Sequence, residues 1–115
     1  MISMKNKIVL ISYPFDDQIT FKVRPALCLT EPISDYKHII MSFISSQIEK
    51  SNEESDIVIN ISDREFSLTG LNTNSAIRLY RIATIPINLI KRELGILPNI
   101  YHNILTEKLR KLFDI

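Results

Sequence analysis

Arg24 stands directly before Pro25, where a polar stretch gives way to an apolar run. Proline steers its predecessor away from helical backbone toward an extended conformation. A planar, permanently charged guanidinium held that way at the rim of a sheet can fork onto a phosphate. Ser45 and Ser46 follow another apolar run and precede Gln47. A hydroxyl at such a strand exit can donate to a phosphate oxygen or place a reacting group. Plainer roles are open to both residues: a strand-edge salt bridge for Arg24 and a turn cap for Ser45.

The remaining chemical inventory is thin. The only glycines are Gly70 and Gly95, so there is no glycine-rich phosphate loop. His38 and His102 are far apart, with no cysteine or second histidine beside either, so metal-ligand spacing is absent and both read as solvated surface residues. No metal and no cofactor are expected. The carboxylate pairs Asp16-Asp17 and Glu53-Glu54 read as solvated loop acids. Cys28 is the one cysteine and lies in an apolar run. It cannot pair within the chain, which fits a reducing compartment, and no His or acid motif accompanies it to make a catalytic thiol.

These residues need elements to position them. Residues 7–13 are short, β-branched and apolar and stop at Pro14, as a buried strand does. Residues 25–30, 38–44, 56–59 and 75–82 read as four further strands, and 47–55 as a polar, acidic loop. In the fifth strand Ile77 and Leu79 alternate with Arg78 and Tyr80, the pattern of a half-buried strand. Pro86 suits the first turn of a short helix, whereas residues 89–94 fit helix and strand equally. Tyr101, Ile104, Leu105, Leu109, Leu112 and Phe113 recur at helical spacing, with Lys108, Arg110 and Lys111 elsewhere on the circumference. The expected fold is mostly β with a C-terminal helix, and a sheet this small must curl or close to protect its edges, so a small barrel is the natural architecture.

At 115 residues the chain reads as one domain, 1–115. A net charge of +1 argues against a protein that grips long duplex DNA mainly by charge. No run approaches the ~18 apolar residues of a membrane span, and Met1 to Lys7 has no signal-peptide core. A soluble cytoplasmic protein with no membrane partner is expected.

Several segments are jointly familiar. "KIVLISYPFDDQITFKVRPALCLT", then "IIMSFISSQIE", "GLNTNSAIRLYRIATI" and "LIKRELGIL" before an amphipathic helix, resemble the PemK/MazF family of toxins in order and spacing over roughly residues 6 to 113. The resemblance implies an SH3-like small barrel, a homodimer, and metal-independent endoribonuclease activity on single-stranded RNA. In that chemistry the RNA's own 2′-hydroxyl attacks and a 2′,3′-cyclic phosphate is left. It also implies a cognate antitoxin that occupies the RNA groove. The family's catalytic arginine falls on Arg24 and its catalytic threonine on Ser45, where serine keeps the hydroxyl but leaves χ1 freer. The first strand departs from the family's Gly-Asp lead, with Asn6 and Lys7 there instead. Beside the catalytic pair, Lys22, Ser46, Gln47, Arg78 and Arg81 are candidate RNA contacts. Phe15 and Phe21 can stack bases or plug the barrel.

Two other functions share this fold. Gyrase-poisoning toxins depend on a Trp-Gly-Ile tail, whereas this chain has no tryptophan and closes on Leu112, Phe113, Asp114 and Ile115. The other is a catalytically idle domain that only binds RNA or an antitoxin.

Overall fold

Strand β1 (Lys7–Tyr13) buries the adjacent residues Ile8 and Val9 completely. Successive side chains of a strand face opposite ways, so apolar matter covers both sides of the sheet here. Strand β2 (Lys22–Cys28) repeats the arrangement with Ala26, Leu27 and Cys28. Such unbroken runs, rather than strict alternation, are what a strand covered on both faces requires. Strands β3 (His38–Ser45), β4 (Asp56–Ile59), β5 (Ser75–Pro86) and β6 (Ile90–Ile96) follow, and helix α1 (His102–Phe113) closes the order. The computed structural model describes residues 3–13, 22–51 and 54–115, without the side chains of Tyr13 and Lys22.

All six strands join one antiparallel sheet in the order β4-β5-β3-β2-β1-β6. One apolar cluster takes Ile8, Leu27, Ile44, Ile57 and Ile77 from five different strands and Leu94 from the sixth, so the sheet must wrap around it. Leu105 of α1 covers the same cluster. A second cluster, with Val9, Ala26, Cys28, Ile39, Met41 and Ile85, fills the other face. Each fully buried aliphatic side chain is worth about 1.5–3 kcal/mol against chain entropy. The expected architecture is therefore present, mostly β with a terminal helix, as a barrel-like sheet whose edge strands β4 and β6 do not pair with each other.

Irregularities supply the curvature. Between the pairs Ser42↔Ile82 and Ile44↔Ile77, β3 advances two residues while β5 advances five. Such bulges bend a strand and re-aim its side chains. At that bend Ser42 Oγ, fully buried, donates to the Leu79 carbonyl at 3.1 Å. The half-buried pattern expected of β5 holds for Tyr80, which is exposed, but not for Arg78. Residues Ser75 to Leu79 are all buried because β4 and β3 flank this half of the strand and the curled sheet covers both faces.

Pro86 precedes a short 3-10 turn, Ile87–Leu89, and the segment ambiguous by pattern is strand β6. In α1 only Leu105 is buried; Leu112 and Phe113 stay exposed because the packing on the sheet is confined to the Leu105–Leu109 side. Arg110 and Lys111 lie in its last turn, where cations complement the helix dipole. His102 is not a free surface residue: half-buried, its Nε2 donates to the Leu97 carbonyl at 2.9 Å.

Both glycines of the chain serve one contact. A Cβ on Gly70 would lie 2.0 Å from the Leu94 carbonyl oxygen, and one on Gly95 2.1 Å from that of Leu68. Gly70 also has φ +72°, which side chains disfavour. The turn at Phe66–Thr69 thus lies backbone to backbone on β6. Gly95→Ala should destabilise the protein by about 2 kcal/mol, lowering its thermal midpoint by roughly 10 °C. Thermal unfolding followed by circular dichroism checks this, and an unchanged midpoint would show that the contact relaxes freely.

Candidate functional site

The site grows from a gap in the sheet. Strand β2 pairs with β1 from Lys22 to Leu27 but with β3 only from Ala26 to Cys28. Pro25, which has no N–H for a ladder, stands at the first position beyond that second pairing. From there β3 runs on beside β5, through Ile44↔Ile77 and Ser45↔Ala76, and leaves β2 behind. Into the opening between the two strands project the residues that the sequence singled out.

The cavity so formed measures about 810 Å³, within the usual range of ligand pockets. Arg24 on β2, Ser45, Ser46 and Gln47 at the exit of β3, and Arg78 and Arg81 on β5 all line it. These six come from three elements and converge on one space. Of the other expected RNA contacts, Phe15 and Phe21 lie outside the described residues, and Lys22 is described in its backbone alone.

Their surroundings differ. Arg24 and Arg81 are exposed, and the Arg81 guanidinium lies 6.0 Å from the Tyr80 ring centroid. Arg78 is only 5 % exposed: its Nη2 donates to the Gln47 carbonyl at 2.8 Å and its Nε lies 3.5 Å from Asp56 Oδ2. Ser45 Oγ accepts the Gln47 N–H at 3.0 Å. The turn cap that the sequence allowed is thus formed, and it occupies one lone pair of the hydroxyl. The hydroxyl proton remains available to donate.

Other lining residues were not singled out as site residues, among them Arg92 on β6, and Asn72 and Thr73 in the turn before β5. Arg92 belongs to the segment whose helix or strand identity was ambiguous, so its facing was unreadable. The turn reaches the rim through the glycine contact and a set of local bonds. Thr69 Oγ1 donates to the Phe66 carbonyl and accepts the Leu71 N–H, and Ser75 Oγ donates to the Thr73 carbonyl. Asn72 and Thr73 stay exposed between these anchors, with side chains able to meet a base edge.

The electrostatics are one-sided. Arg24, Arg78, Arg81 and Arg92 line the cavity, whereas no aspartate or glutamate among the described residues does. Arg78 is buried beside the Asp56 carboxylate, and Arg24, Arg81 and Arg92 are exposed. Such a cavity favours an anion with several charges along its length, in keeping with a phosphodiester backbone. Among the described residues no cluster of three His, Cys, Asp or Glu is placed to hold a metal.

Comparison with known proteins adds to this geometry. Residues 5–113 match the family described as PemK-like, MazF-like toxin of type II toxin–antitoxin system. The fold is similar to that of the Mycobacterium tuberculosis toxin MazF-mt6, at 20% identity and a TM-score of 0.68, covering 93% of this chain and 97% of that one. It is also similar to a second solved structure described as an Mtb toxin, at 18% identity and a TM-score of 0.62, covering 89% and 97%. No curated protein sequence matches the chain.

Cys28 takes no part in the cavity. It is fully buried, and its thiol is pushed up to about 12, first by burial and then by the Glu93 carboxylate. A thiol that stays protonated is neither a nucleophile nor a ready target of oxidation. At pH 8 the folded protein should resist a disulfide-exchange reagent that labels it readily once denatured. Appreciable labelling of the native state, followed by absorbance, would contradict this placement.

Proposed function

The chain belongs to the PemK-like, MazF-like toxins of type II toxin–antitoxin systems, and on that premise we propose that it is an endoribonuclease cutting single-stranded RNA in the cavity between β2, β3 and β5. The observation that carries the reading is the convergence of Arg24 and Ser45 on a cavity lined by arginines and, among the described residues, by no carboxylate. RNA supplies its own nucleophile. The 2′-oxygen attacks phosphorus in line, the bond to the 5′-oxygen breaks, and the 2′-proton is lost while the leaving oxygen gains one. The products are a 2′,3′-cyclic phosphate and a 5′-hydroxyl.

Charge builds on the nonbridging oxygens as the fifth bond forms. The Arg24 guanidinium, fixed on extended backbone before Pro25, stabilises that charge, and the Ser45 proton holds one of the same oxygens. Groups aimed at a developing oxyanion are commonly worth ~10²–10³ in rate apiece. Ser46, Gln47 and Arg81 meet neighbouring parts of the strand. No step calls on a metal or cofactor. The same reading includes a homodimer, action in the cytoplasm, and a cognate antitoxin that blocks the cavity.

Three outcomes test it. Cleavage of a long RNA, with its ends mapped, should persist in excess EDTA and yield 5′-hydroxyl ends. Arg24→Ala and Arg24→Lys should each lose ~10²-fold or more in cleavage while RNA binding falls modestly, because lysine keeps the charge but not the fork. Ser45→Ala should also impair cleavage. Ser45→Thr should keep or raise it, since the added methyl narrows the rotamers of a hydroxyl that can still accept from Gln47. Parent-level cleavage by Arg24→Ala, with the fold intact by circular dichroism, would leave the idle binding domain as the better reading.

A further inference from the structure

We infer that Arg78 is a positioning residue, not an RNA contact: from a buried seat against Asp56 it fixes the Gln47 carbonyl and, through that residue, the Ser45 hydroxyl. The inference rests on the reading of the cavity as an RNA-cleaving site, but the contacts that support it do not.

Placement comes first. Asp56 and Arg78 are direct cross-strand partners on β4 and β5. Their side chains are 1 % and 6 % exposed. Opposite charges facing each other across a ladder attract, but a pair this dry gives up most of its hydration, which consumes much of that attraction. Net stability is therefore a poor reason for such a pair. Orientation is a better one: the planar guanidinium keeps its charge beside Asp56 through Nε, 3.5 Å away and without a hydrogen bond, while Nη2 is aimed at a different group.

The second nitrogen has a target that needs holding. Gln47 sits at φ −86°, ψ 71°, outside regular helix and strand, between the end of β3 and the 3-10 turn Ile48–Lys50. Nothing in a ladder fixes its peptide plane. Its carbonyl takes Arg78 Nη2 at 2.8 Å and the Lys50 N–H at 3.2 Å, and its N–H goes to Ser45 Oγ at 3.0 Å. Arg78 thereby fixes a residue whose other end sets the rotamer of the Ser45 hydroxyl. A serine lacks the methyl that restricts χ1 in threonine, so an external clamp of this kind supplies the missing restraint.

The neighbours favour this role over phosphate contact. Arg24, Arg81 and Arg92 line the same cavity from exposed positions. Arg78 is turned inward, with its charge opposed by Asp56, while Ser55 Oγ lies 3.5 Å from Asp56 Oδ1. Lys108 Nζ of α1 donates to the Asp56 main-chain carbonyl at 2.7 Å and so ties β4 in place from the other side.

The test separates positioning from binding. Arg78→Lys keeps the charge against Asp56 but lacks the second nitrogen needed to reach the Gln47 carbonyl. We expect kcat to fall ~10-fold or more with KM little changed, in the manner of a small misplacement of a reacting group. Affinity for a fully 2′-O-methylated single strand, which lacks the attacking hydroxyl, should match the parent and keep the same salt slope. Amide hydrogen exchange at Gln47 should accelerate. A phosphate contact would instead weaken binding and reduce the slope by ~1, which overturns the inference, as does parent-level kcat with unchanged exchange. Should Arg78→Lys fold poorly, the double variant Arg78→Met/Asp56→Leu removes both buried charges together and is expected to show the same kcat loss and faster Gln47 exchange. Should the parent cleave no RNA, the reading of the cavity fails, while the Gln47 exchange rate in these variants still decides the positioning claim.

Discussion

A backbone-to-backbone contact between the 68–70 segment and β6 underlies everything on the cavity side of the sheet. It exists only because neither Gly70 nor Gly95 has a Cβ. Through it the loop leading into β5 is set down on the far edge strand, four strands away from β5 in the sheet order. The curl of the sheet is thereby held, and Asn72 and Thr73 reach the rim of a cavity whose opposite wall is β2. A chain that uses glycine nowhere else has placed both where a methyl group would force two main chains apart.

Against this frame the cavity works by imbalance. The protein as a whole is nearly neutral, at +1, yet four arginines line one space that none of its described acids enters. Gathering like charges is unfavourable, and here the cost is lowered in two ways. Three of the arginines remain hydrated, and the fourth is set back against Asp56. The polar groups divide in the same sense. Three are exposed at the opening, and the buried one holds the chain that carries Ser45.

Much of the fold was legible because burial writes itself into short apolar runs. The bounds of β1 and β4 read directly from residues 7–13 and 56–59, and α1 from its periodic leucines. Residues 89–94 were ambiguous because Ile90 and Leu94 are spaced as well for a helix as for a strand, and only pairing with β1 decides between them. Arg78 was misjudged in its surroundings for a related reason. Alternation within a strand cannot show that a curled sheet will cover its polar face. Arg24 and Ser45 could be named from the family resemblance, but their shared cavity depends on where β2 and β3 part, which no local pattern records. Arg92, Asn72 and Thr73 needed the glycine contact and the sheet order, both of them long-range facts.

Sheet order also bears on the sequence of events by which such a molecule is made. The first strand ends up between the second and the sixth, with Lys7 to Ile11 paired to Ile96 to Ile90. Contacts of that separation are the slow part of folding, since the intervening chain must be organised before they can form. Ribosomal synthesis runs from the amino end, so β1 to β5 emerge while Arg92 and Leu94, one wall of the cavity, are still missing. The arginine-lined groove is consequently a late product of biosynthesis. A partly made chain carries Arg24 and Ser45 without the enclosure that gives them a common target.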